Sequence, residues 1–278
     1  TYASDGTYTV RVSGTMEGWS FNNGGDKLKC TDIIHWGAAP DFNGFNYLGA
    51  AFRGCSNLKS LGPSDSVIPS AGSITQANMV FHSCTGATGA IPENLLSAIP
   101  TATNVSQVFH TCSGLTGSIP AGLLDNVTSA VNLSYFFLSC SGLTGSIPAG
   151  FFDNVTSVTS LALCFSGCAA LESYGANLCR PLTSCEQFQY MFYGCNKLQQ
   201  RSDTFYAAGE HTTRFLNQSP NFTSCFQRGS FTGTQGTAPD LWNCDYGTGS
   251  PTSTDCWEGA GNSGTSLTNY ASIPAGWK

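Results

Sequence analysis

Charged side chains are scarce: Asp, Glu, Lys and Arg make up only 10% of the 278 residues. A compact globular enzyme carries about 25%, so hydroxyls and amides supply most of the surface polarity here. The formal net charge of −6 provides no basic stripe to displace counterions from phosphates, which excludes nucleic acid as the expected partner. No apolar run approaches the ~20 residues needed to span a bilayer, so membrane insertion is not expected. P-loop, G-x-G-x-x-G, H-E-x-x-H and G-x-S-x-G patterns are all missing, as are the paired C-x-x-C ligands of a zinc site. No catalytic residue, cofactor or metal is therefore expected. The chain opens Thr1-Tyr2-Ala3 without a charged and apolar leader. That fits a processed chain, a fragment, or a protein that never used a leader.

Cysteine is plentiful, at 13 residues, and about half of the cysteines fall on a regular beat. The segments AFRGC at 51–55, VFHSC at 80–84, VFHTC at 108–112, FFLSC at 136–140, CFSGC at 164–168 and MFYGC at 191–195 return one motif. It places Cys55, Cys84, Cys112, Cys140, Cys168 and Cys195 at a period near 28. Three residues before each stand Phe52, Phe81, Phe109, Phe137, Phe165 and Phe192. Leu58, Leu115, Leu143, Leu171 and Leu198 follow three residues after, with Ala87 as the exception. Ile91-Pro92, Ile119-Pro120 and Ile147-Pro148 then mark where a short strand would end, since proline has no N–H to give.

One such unit cannot bury its own apolar side chains, whereas stacked units place like on like and build a continuous core. The expected fold is a repeat solenoid of leucine-rich-repeat type, β-rich with short helical or irregular turns. It would have about six regular coils, with successive strands pairing at about 4.8 Å. Residues 1–47 would form an N-terminal β cap or small β-module, because Thr7-Tyr8-Thr9-Val10-Arg11-Val12 alternates as a strand does. Residues 48–200 would form the solenoid. Residues 201–278 would form degenerate repeats with inserted loops and a C-terminal cap: Cys225-Phe226 and Cys256-Trp257 echo Cys164-Phe165, and Ile273-Pro274 echoes the earlier Ile-Pro pairs.

The pattern F-x-G-C-x-x-L followed by I-P resembles the BspA-like leucine-rich repeats of bacterial, protist and viral surface proteins, over about 48–200. The C-terminal end has a looser resemblance to the distal parts of some phage tail-fibre proteins. The resemblance to the surface proteins implies adhesion and recognition of a host or partner.

The column cysteines read as buried free thiols, since stacking at about 4.8 Å keeps Cβ atoms farther apart than the ~3.8 Å of a disulfide. Cys179 with Cys185, and Cys244 with Cys256, bracket short loops and are possible disulfides. A variable column inside a fixed framework is usually exposed, and here it runs Arg53, His82, His110, Leu138, Ser166, Tyr193. Arg53, His82, His110 and Tyr193 are binding candidates on that ground. Trp242, Tyr246, Trp257, Tyr270 and Trp277 cluster in the irregular C-terminal segment and are the preferred ones, with closing the core as the alternative role of the tryptophans. Asp125 and Asp153 adjoin Asn126 and Asn154 in a repeated D-N-V-T-S, which reads as turn chemistry and not as a catalytic pair.

The function expected is a non-enzymatic recognition or adhesion module for a cell-surface glycan or protein, displayed outside the cell, on its surface or on a virion. The alternative is a structural subunit of an extracellular filament, coat or viral fibre, self-associating or attached to a larger assembly.

Overall fold

In the VFHSC segment the backbone makes two tight turns. Met79 and Ser83 take φ of 58° and 62°, and Gln107, Thr111, Tyr135 and Ser139 do the same in the next two segments. An extended strand contains no such conformation, which costs an L-residue about 1–2 kcal/mol. Hydrogen bonding shows what holds it. His82 N–H and Cys84 N–H donate three residues back, to Met79 O (3.2 Å) and Phe81 O (3.0 Å). The alternate donors Met79, Phe81 and Ser83 reach forward to Ser106, Val108 and His110 at 2.8–2.9 Å.

The computed structural model describes residues 6–36, 42–70, 72, 74–229, 235–261 and 267–278. Among them are four short strands: β1 (Gly14–Met16), β2 (Phe42–Phe45), β3 (Gly145–Ile147) and β4 (Leu171–Tyr174). They form two parallel pairs, β1 with β2 and β3 with β4, each interrupted by a bulge. Among the described residues, helical structure is confined to 3-10 turns of three or four residues. The leucine-rich-repeat solenoid of six coils expected from the 28-residue spacing is therefore corrected: two small two-stranded sheets do not make that architecture. The spacing anticipates which side chains meet and the end of β3 at Ile147-Pro148, but not a backbone bent by left-handed residues beside the column cysteines. Thr7–Val12, expected as a strand, is exposed on both alternating sets of side chains and lies outside any strand.

Aromatic rings meet in a row. Phe52 stacks on Phe81 at 5.7 Å, Phe81 on Phe109 at 5.8 Å, and Phe109 on Phe137 at 5.4 Å. Phe137 stacks on Phe165 and Phe165 on Phe192, both at 5.7 Å. Phe226 and Trp257 continue the row at 5.5 and 4.2 Å. Trp36 meets Phe52 edge-on at 5.6 Å and donates its indole N–H to Leu61 O at 2.8 Å. Buried apolar residues from Ile33 to Trp277 form one core cluster. Isolated parallel bridges join Asn104 to Asn132, Asn132 to Ser160 and Gln187 to Asn221. The Asn104 and Asn132 side-chain oxygens accept the Ser106 and Ser134 N–H groups at 3.1 and 2.9 Å, closing a turn at each bridge.

All thirteen cysteines are free thiols. The suggested Cys179–Cys185 and Cys244–Cys256 disulfides are not formed. Cys185 Sγ is oriented toward Gln187 O at 3.9 Å and Cys244 Sγ toward Asp240 O at 3.8 Å, while Cys179 and Cys256 are fully buried in the core.

Candidate functional site: a tyrosine-bearing face and two polar clefts

The variable column is less exposed than its variability suggested. Ser166 is buried, while Arg53, His82, His110 and Leu138 are half-buried. Tyr193 alone is open, at 42%. His82 and His110 stack with centroids 4.3 Å apart, and Tyr135 lies 6.2 Å beyond His110. Both Nδ1 atoms are buried without a hydrogen-bond partner. Burial, then the neighbouring His110 and Arg53, lowers the His82 pKa to about 4; burial and Arg53 lower that of His110. The imidazoles are thus neutral near pH 7. Arg53 donates to Asn22 Oδ1 at 3.3 Å.

Two exposed rings escaped the sequence reading. Tyr135 and Tyr190, each 36% exposed, hold φ of 61° and 57° on the same turns. Five residues before each column cysteine come Ala50, Met79, Gln107, Tyr135, Leu163 and Tyr190. That run varies as much as the Arg53–Tyr193 column, so the same signal could have found them. Tyr190 and Tyr193 pair edge-to-face at 5.7 Å. Tyr193 forms one wall of a cleft of about 420 Å³ shared with Asn196, Gln227, Arg228 and Glu258. The Asn196 Oδ1 atom is buried there without a partner, and Gln227 donates its amide to the Glu258 carboxylate.

The C-terminal aromatics do not form an exposed patch. Trp257 is wholly buried as the last ring of the row, and Trp277, 8% exposed, packs on Phe222 at 6.0 Å. Trp242, Tyr246 and Tyr270 are half-buried. Trp242 lies 6.5 Å from Trp277, Tyr246 stacks on Phe215 at 6.0 Å, and Lys278 Nζ caps the Tyr270 ring at 4.5 Å. These rings close the core's end, which is why they cluster in the sequence.

A second cleft, of about 720 Å³, lies between the turns carrying Asp153, Asn177, Arg180, Glu210, Arg214 and Gln218. Arg180 grips Glu210 with two hydrogen bonds, of 2.9 and 2.5 Å, and holds its pKa down at about 2, helped by the Ala207 N–H. No group of three or more His, Cys, Asp or Glu side chains suited to a metal occurs among the described residues. Nor is any helix among them long and apolar enough to cross a membrane. No protein-family model matches the chain, and no curated protein matches its sequence.

Proposed function

We propose that the protein is a non-enzymatic recognition module for a cell-surface glycan or protein, acting outside the cell, and that the Tyr190–Tyr193 face is its contact surface. The observation that carries this reading is the pairing of two open tyrosine rings with a polar cleft. One wall of that cleft is Tyr193, and its Asn196 oxygen has no partner. Tyrosine offers a broad, rigid, amphipathic contact at low entropic cost, and a partnerless buried acceptor gains a hydrogen bond when a ligand donor arrives. Sugar rings present a flat C–H face to aromatics and hydroxyls to amides, so the pair suits a glycan best.

Glycan-array and cell-binding assays with purified protein test this. Tyr193→Ala and Tyr190→Ala should each weaken binding about five- to thirtyfold, equivalent to 1–2 kcal/mol of lost contact. Unchanged binding in the double variant, with circular dichroism unaltered, would remove the contact surface from this face. Concentration-dependent polymers in size-exclusion chromatography, without cell binding, would favour the filament or fibre subunit instead.

A further inference from the structure

Arg214 is 8% exposed, and its guanidinium has no carboxylate among its hydrogen-bond partners. It donates to Leu182 O at 2.8 Å, to Phe205 O at 3.2 Å and to Gln218 Oε1 at 3.4 Å, and it lies 4.2 Å from the Phe215 ring centroid. A guanidinium has five N–H donors, so these three bonds leave donors unused. A buried cation without a counter-charge is costly, and this one borders the 720 Å³ cleft. The Asn177 Oδ1 atom, on the same cleft, is buried and without a partner.

We propose that this cleft holds an acidic saccharide, with the ligand's single carboxylate on Arg214 and its hydroxyls on Asn177, Gln218 and Asp153. The name given to the ligand class rests on the recognition reading; the carboxylate site rests on Arg214 alone. Its volume lies within the roughly 300–1,000 Å³ of small-ligand sites. The charge pattern narrows the ligand further. Glu210 is occupied by Arg180, while Asp153 also lines the cleft, so a doubly charged phosphate meets about twice the repulsion from Asp153 that a monoanion bearing hydroxyls meets. None of the lining residues is aromatic, which disfavours a flat heterocycle.

The test uses the full chain and four probes: glucuronic acid, its neutral methyl ester, glucose and inorganic phosphate. Nuclear magnetic resonance should show glucuronate shifting the Arg214 Nε–H, Asn177 and Gln218 signals. The ester and glucose should bind at least about tenfold more weakly, because a charge-assisted bond is missing. Arg214→Gln should abolish the preference for the acid. Should that variant fail to fold, Asn177→Asp serves, placing a like charge at the wall without touching the Arg214 bonds; it should also abolish glucuronate binding. Equal affinity for acid and ester, preference for phosphate, or no shift at the wall residues would overturn the proposal. If those results came with cell binding still dependent on Tyr193, only this inference would fail; loss of the Tyr193 dependence would count against the recognition face instead.

Discussion

The Cys140 thiol donates to the Phe109 carbonyl at 2.9 Å, and that same oxygen already accepts the Cys112 N–H at 3.0 Å. The relationship recurs. Cys84, Cys112, Cys168 and Cys195 donate to Phe52, Phe81, Phe137 and Phe165 at 3.0–3.1 Å. Each phenylalanine carbonyl thus ties its own turn to the next through one N–H and one S–H, beneath the stacked rings. A small buried thiol that both packs and donates explains why cysteine occupies the column. Cys140→Ala should cost about 1–2 kcal/mol, combining a lost hydrogen bond with a small cavity. The lower part of that range is expected, since Phe109 O keeps the Cys112 N–H. Urea unfolding of the variant measures it, and a stabilised protein would contradict the role.

Phe137 has no exposed surface and lies between Phe109 at 5.4 Å and Phe165 at 5.7 Å, with Phe136 edge-on at 4.7 Å. Phe137→Ala should therefore cost about 3–5 kcal/mol in the same assay. A cost below about 1 kcal/mol would mean that the neighbouring rings collapse into the space.

Which side chains meet was legible in the sequence; which fold they meet in was not. A period near 28 set Phe81 beneath Phe109 on paper, and they stack at 5.8 Å. Cys225-Phe226 and Cys256-Trp257 are visible as echoes of Cys164-Phe165, yet the sequence offers Trp257 first as a contact and only second as a ring closing the core, which is what it is. Tryptophan is as able to finish a core as to contact a ligand, and composition does not separate the two. Backbone conformation was hidden for a different reason. Met79, Gln107, Tyr135 and Leu163 carry no sequence mark of positive φ, unlike glycine, so the turns they make are not visible in the sequence. The clefts were not foreseen, because Arg214, Asn177 and Asp153 converge from segments with no shared spacing.

Thiol chemistry should divide the cysteines sharply. Cys30 is half-buried, and a hydrogen bond from the Cys55 thiol lowers its pKa, whereas burial pushes Cys84, Cys140 and Cys195 up to about 12. The thiolate is the reactive form, so iodoacetamide at pH 8 should label Cys30 first. The column thiols should react only on unfolding. Peptide mapping by mass spectrometry reads both outcomes, and early labelling of Cys112 or Cys168 would contradict the buried column.

The stacked imidazoles make stability depend on pH in a defined direction. In the folded chain His82 titrates at about 4, against an ordinary value of 6.5, because burial and the neighbouring His110 and Arg53 oppose its charge. His110 is lowered for the same reasons of burial and proximity to Arg53. Between those two pH values the unfolded chain binds more protons than the folded one, so protonation favours unfolding. The stabilisation is complete above about 6.5 and is lost as pH falls toward 4. Glu210, held down at about 2 by its hydrogen bonds from Arg180, adds a separate loss that begins as pH falls through about 4.5, at the acid end of the same window. The urea midpoint should therefore fall between pH 6.5 and 4 in the native protein, and fall less in a His82→Gln, His110→Gln double variant. Glutamine keeps the half-buried polar shape but carries no proton over this range. An identical pH profile in the double variant would place the acid sensitivity outside the imidazole pair, among the carboxylates.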